Sequence, residues 1–152
     1  MNDLLHELQK TLSREIPITR HLGITVVSYD NGSLILKAPL EQNINHAGTA
    51  FAGSLNALVT LSAWGQLWLV LKELNIPATI VIQDSTSNYL LPVSNDFSAI
   101  CHKPEPTQIT RLEHTLTRKG KARIELCAQI YSHHEVAMSF KGRYVVSSNH
   151  IE

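Results

Sequence analysis

Between Gln42 and Leu71 the chain carries no Asp, Glu, Lys or Arg. The first part of this stretch is a loop of small and polar residues, including Asn43, Asn45, His46, Gly48 and Thr49. The remainder, from about residue 50 to 74, reads as one long helix of Ala, Leu, Trp and Val. It is dotted with Gly53, Ser54, Asn56, Thr60 and Gly65. An uncharged helix in a globular chain must be buried on most sides, so the rest of the sequence has to supply its wrapper. The stretch is long enough to raise the question of a membrane span. Its Asn, Gln, Ser, Thr and Gly content and the lack of flanking basic clusters speak against one. A buried helix whose N-terminus opens on a polar loop is also a ready anion or oxyanion site.

A chain of 152 residues, 43% hydrophobic and 17% charged, can bury a sizeable core as a single domain, expected to span residues 1–152. Thirteen basic and thirteen acidic residues give a formal net charge of zero. That balance argues against nucleic acid or a membrane as partner and leaves solubility unassisted by charge, which favours self-association. Cys101 and Cys127 show no CxxC and no metal-ligand spacing, and read as buried thiols of a reducing compartment. The N-terminus has no basic region followed by an apolar core, so a cytoplasmic location is expected. No metal and no cofactor are expected, since His133-His134 sits at a turn rather than in a cluster.

Leu4, Leu5, Leu8 and Leu12 recur at helical spacing and place a helix over residues 3–14, stopped before Pro17, with one more turn from Ile18 to Leu22. Residues 24–29 and 33–38 are strands joined by an Asn31-Gly32 turn. Asn75 and Pro77 end the long helix. Residues 79–91 form a strand whose second half is polar on both faces, so that part must line water, a cleft or a subunit contact. Residues 97–103 are another strand. Thr107 can cap a helix over 108–118, and strands 122–131 and 136–146 close the chain. The order is an α+β one, with an antiparallel sheet curled around one central helix.

With Gly48, Phe51-Ala52-Gly53 opening the helix and Asn88-Tyr-Leu-Leu-Pro-Val93 ending the third strand, the layout resembles the hot-dog fold of acyl-thioester enzymes over roughly residues 16–147. That resemblance implies pairing through the strand after the central helix into a homodimer, or a larger assembly, with sites at the subunit interface. Hot-dog thioesterases usually carry an acid in the loop or the first helical turns. In one large subgroup a His and a helix Asp would fall at Phe51 and Thr60, and neither is present. The usual base for activating water is therefore missing. Asp84 on the third strand is the one nearby acid that could be offered instead, with a structural or interface role as its alternative; Ser85 beside it is a candidate site-lining residue.

What remains is an electrophilic site without a base. Gly53, expected in the second helical turn, can present its N–H to a thioester carbonyl, and Asn45 can add an amide N–H from the loop. Hydrolysis would still need an activated water. Decarboxylation of a malonyl thioester proceeds through an enolate and needs no base, and an acid in the site would repel the malonyl carboxylate by about 4 kcal/mol at 4 Å with an effective dielectric near 20. Apolar neighbours Ala50, Phe51, Ala52 and Leu55 would desolvate that carboxylate.

More closely, Asn45-His-Ala-Gly-Thr-Ala-Phe-Ala-Gly-Ser-Leu55 and its Leu61–Trp64 continuation resemble the malonyl-acyl-carrier-protein decarboxylase family in its stand-alone hot-dog form. Related domains carry an older thioesterase label. The resemblance implies Asn45 as catalytic residue and an acetyl thioester product for initiation of fatty-acid synthesis, with malonyl-acyl carrier protein or malonyl-CoA as substrate. His46 can touch substrate, orient Asn45 or satisfy backbone; Thr49 is the expected helix cap; Ser54 is a small packing or substrate-facing position. Asn43 is a second candidate amide. Because carrier proteins are acidic, Lys103, Arg111, Arg118, Lys119, Lys121 and Arg123 are candidates for docking, or else form a solvated face. A thioesterase and a non-catalytic acyl-thioester binding module are the competing readings.

Overall fold

The computed structural model describes residues 3–148. The chain forms α1 (Asp3–Glu15), α2 (Ile18–Leu22), β1 (Thr25–Asp30), β2 (Ser33–Ala38), α3 (Ala52–Glu73), β3 (Ala78–Tyr89), β4 (Phe97–His102), α4 (Pro106–Lys119), β5 (Lys121–Ser132) and β6 (Glu135–Ser148). One 3-10 turn, Glu41–Asn43, lies between β2 and α3. The six strands make a single sheet of order β1-β2-β4-β5-β6-β3, every pairing antiparallel. It wraps α3, which touches β2, β3, β4, β5 and β6. This is the hot-dog arrangement the sequence implies.

The absence of charge on α3 follows from that wrapping. Leu58, Val59, Ala63, Leu67 and Leu69 are fully buried against Leu34, Leu36, Ile130, Met138 and Phe140 of the inner sheet face. Each buried Leu contributes about 1.5–3 kcal/mol of transfer free energy. The helix is long and apolar enough to cross a membrane, but 72% of its apolar window is buried inside the fold, so its hydrophobicity serves the core. At Gly65 the helix comes so close to β2 that an added Cβ would lie 3.0 Å from Leu34. Buried Gln66 donates from Nε2 to the Gly32 and Cys101 carbonyls, at 2.8 Å each, and so ties α3 to the β1–β2 turn and to β4. In that turn Asn31 and Gly32 both have positive φ, as Asn-Gly predicts.

Two helix starts differ from expectation. Thr49 does not cap α3; Phe51 occupies the N-cap with extended φ/ψ and no side-chain cap bond. The second amphipathic helix begins at Pro106, not at 108, because Glu105 and Gln108 form a reciprocal capping box and proline is preorganised for the first turn. A register shift between Ile82 and Asp84 interrupts the β3–β6 ladder. That bulge reverses which face the second half of β3 presents.

Candidate functional site

The loop before α3 is held from below by Asn43. Its side chain is only 3% exposed, and Nδ2 donates to the carbonyls of Leu22 and Pro39 at 2.9 and 2.8 Å. Its own carbonyl takes the Phe51 N–H at 2.7 Å, which sets the entry into α3. Both amide hydrogens are engaged in scaffolding, so Asn43 is not the working amide. Ala50 N–H bonds to the Val93 carbonyl at 2.8 Å and fastens the loop to the segment after β3.

Asn45 organises the turn above it. Oδ1 accepts from the Ala47 and Thr49 N–H groups at 2.9 and 3.1 Å, while Nδ2 donates to Thr49 Oγ1 at 2.9 Å. The contact from Nδ2 to the Ala50 carbonyl is 3.5 Å, too long to be a strong bond. One amide hydrogen of Asn45 is therefore loosely held and can be given to a ligand. Thr49 acts as its acceptor rather than as a helix cap. His46 is exposed at the turn.

Gly53 is the second residue of α3, in its first turn rather than its second. Ser54 and Leu55 N–H groups both bond to the Phe51 carbonyl, at 3.0 and 3.1 Å. Among the described residues nothing accepts from the N–H groups of Ala52 and Gly53, and no side chain caps the helix. Two aligned donors at the positive end of a 22-residue helix are groups of the kind that can stabilise an oxyanion. The Phe51 ring lies across Gly53, where a β-carbon would collide with it, so glycine there lets an apolar cover sit beside the free donors. Ser54 is buried behind the turn.

A cleft of about 300 Å³ opens beside these groups, lined by Asn45, Ala50, Ala52 and Leu55 on one side and by Tyr89–Val93 on the other. No acid lines it. Nearby, Glu41 is exposed, and the Asp96 carboxylate accepts the Leu40 N–H at 2.9 Å. Thr60, where a helix acid would stand, returns its hydroxyl to the Asn56 carbonyl at 2.7 Å. Within one chain Asp84 does not line this cleft. After the β3 bulge Asp84 lies opposite Arg143 on the outer sheet face, 3.6 Å from its guanidinium. Ser85 and Ser87, opposite Gly142 and Phe140, face the helix side instead.

The basic residues fall elsewhere. Lys103 pairs with Glu73 at 2.6 Å, at the C-terminal end of α3, about 30 Å along the axis from Gly53. Arg118 and Lys119 end α4 next to Gly120, whose carbonyl takes the Ser148 N–H, and Ser148 pairs with Ala78 just beyond the same end of α3. Arg111 borders a separate cavity with Arg123 and Glu125. Within one chain, then, these cations and the cleft do not meet. Asn56, one of the polar residues dotting the helix but not among the expected site residues, accepts from Ser87 Oγ at 2.7 Å across the α3–β3 contact.

Solved structures with this architecture are numerous. A protein of unknown function from Chlorobaculum tepidum is 34% identical, with 97% of this chain and all of that one aligned and a TM-score of 0.92. A protein from Shewanella oneidensis described as a putative thioesterase is 32% identical over 98% of this chain and all of its own, with a TM-score of 0.87. A probable thioesterase from Pseudomonas aeruginosa shares the fold at 20% identity, 95% of each chain and a TM-score of 0.80. The model of the family described as "Putative thioesterase (yiiD_Cterm)" matches residues 5–148, almost the whole chain, and the protein belongs to that family.

Proposed function

We propose that the protein acts on acyl thioesters and decarboxylates a malonyl thioester, carried by acyl carrier protein or coenzyme A, to the acetyl thioester. The observation that carries this reading is a cleft lined by Asn45 and Ala52 and by no carboxylate, beside a helix start whose Ala52 and Gly53 N–H groups have no acceptor among the described residues. The bond between the α-carbon and the malonyl carboxylate breaks, CO2 leaves, and the electron pair is delocalised into the thioester as an enolate. The enolate oxygen takes hydrogen bonds from the two helix amides and Asn45. The α-carbon then takes a proton from water, giving the acetyl thioester that serves initiation of fatty-acid synthesis. Donors aimed at developing charge are typically worth 10²–10³ in rate each. The buried apolar residues of the cleft, Ala50, Leu55 and Val93, disfavour the charged carboxylate relative to neutral CO2.

A thioester hydrolase is the second reading, favoured by the family's description and by the Shewanella oneidensis relative. Hydrolysis uses the same oxyanion donors but requires a base to activate water, and the cleft offers none. Incubation with malonyl carrier protein separates the two, since decarboxylation leaves the thioester intact as acetyl, whereas hydrolysis frees malonate and a thiol.

The protein is proposed to work in the cytoplasm as a homodimer, or a higher oligomer, joined through β3. That strand ends the sheet with its outer edge unpaired, and Val81, Leu90 and Tyr89 on or beside it are 60%, 58% and 49% exposed. A long unpaired edge with exposed apolar residues at both ends invites a second strand. An Ile82→Asp, Leu90→Asp variant should sediment at half the wild-type mass.

A further inference from the structure

We propose that Asn56 reads the free carboxylate of the substrate, with Ser87 as the residue that positions it. The proposal rests on the reading that the substrate is a malonyl thioester. Asn56 follows Ala52 by one helical turn, so it lies on the same side of α3 about 5–6 Å further along. Ser87 precedes Tyr89 by two residues on the helix-facing side of β3. Ala52 and Tyr89 both line the cleft, and the Asn56–Ser87 pair lies one step beyond that lining on the same two elements.

The hydrogen bond between them has a direction. Ser87 Oγ–H donates to Asn56 Oδ1 at 2.7 Å, which occupies the amide oxygen and leaves Nδ2 to point away from β3's hydroxyl. Nδ2 has no protein acceptor among the described residues, although Asn56 is half-buried. An amide with its acceptor satisfied and its donors free is suited to an anion. The malonyl carboxylate lies two bonds from the thioester carbonyl carbon. With the carbonyl oxygen on the Ala52 and Gly53 N–H groups, one turn along the helix is the natural distance for the carboxylate.

The chemistry also suits a neutral donor. A lysine or arginine would hold the carboxylate tightly in the ground state and oppose its loss, whereas an amide recognises it with weaker stabilisation. Ser87 keeps the amide from rotating its oxygen toward the carboxylate, which would repel it.

Two unreactive probes test this, S-(2-carboxyethyl)-CoA and S-propyl-CoA, which are thioethers differing in a terminal carboxylate. Their dissociation constants are measured by calorimetry on wild type, Asn56→Ala, Ser87→Ala and Ser87→Thr. Asn56→Ala should weaken the carboxylate probe about tenfold and leave the propyl probe within about twofold. Ser87→Ala should lower the selectivity by a smaller factor, and Ser87→Thr, which keeps the hydroxyl, should restore it. Ser87→Ala decides the matter alone if Asn56→Ala fails to fold. Equal weakening of both probes, no weakening of either, or a wild type without preference overturns the proposal. Product analysis is scored separately. A wild type that makes acetyl thioester while Asn56→Ala keeps full selectivity defeats only the role of Asn56. One that releases malonate while Asn56→Ala loses selectivity defeats only decarboxylation.

Discussion

The two ends of α3 present opposite surfaces. At its C-terminus Lys72 pairs with Glu7 at 2.7 Å and lies 4.9 Å from the Trp68 ring, while Glu73 accepts from Lys103 at 2.6 Å and from the Tyr29 hydroxyl at 3.2 Å. The last carbonyls are also used, since Leu74, Ile76 and Asn75 N–H groups bond to Val70, Leu71 and Lys72. At the N-terminus there is no charge and no cap, and two N–H groups stand free. The larger cavity, about 450 Å³, belongs to the C-terminal end, against about 300 Å³ at the N-terminal one. Between these two ends, volume would choose the one whose dipole repels an oxyanion. What distinguishes the N-terminal end, proposed as the reactive one, is unpaired donors of the right sign, worth up to about 2 kcal/mol of dipole stabilisation when partly buried.

The largest expected effect breaks the N-terminal end directly. Asn45→Ala removes the amide proposed to donate to the substrate and the acceptor for two loop amides, and turnover of malonyl carrier protein should fall about 100-fold or more with circular dichroism unchanged. Next, an acid can be placed at each end in turn. Ala52→Asp puts a carboxylate beside the bound malonyl group and should lower decarboxylation about tenfold or more, without loss of stability, since an acid suits a helix N-terminus. Asn75→Asp at the other end, where φ is +57° and Asp is tolerated, should stay within about twofold. Equal losses at both ends would mean that the asymmetry plays no part in catalysis.

A smaller effect concerns stability. Burial, and to a lesser degree Cys127, pushes the Cys101 thiol up to about 12, and burial raises the hydroxyls of Tyr144 and Tyr29 above their usual range. The folded state thus keeps protons that the unfolded chain loses from about pH 8.5–10 upward. Stability from these groups is full below that range and declines as pH rises toward 12. Melting temperature should therefore fall steadily above about pH 9, and Cys101→Ala should flatten part of that slope. The smallest effect is Asp84→Asn, expected within about twofold in turnover, because that side chain faces Arg143 on the outer surface.

Much of the fold was legible because it depends on periodicity and charge. The Leu spacing of α1, the Asn31-Gly32 turn and the charge-free run of α3 each specify one structure, and each is found. The site was less legible, since it depends on parity and on backbone groups. In unbroken alternation Asp84 would share a face with Ile80 and Ile82; the bulge after Ile82 turns it outward, and nothing in the composition of β3 marks that bulge. Thr49 looked like a cap because threonine commonly is one, but the Asn45 amide claims its hydroxyl. Asn56 carried a signal, as a polar residue on a buried helix, yet its partner Ser87 is 31 positions away and only the folded sheet brings them together.

The central claim is that this cleft stabilises an enolate and does not activate water. The most direct measurement is the identity of the products from malonyl carrier protein, read by mass spectrometry of the carrier. The expected result is acetyl carrier protein and CO2 in equal amounts with no free thiol. Malonate together with the free-thiol carrier would contradict it and establish the protein as a thioester hydrolase.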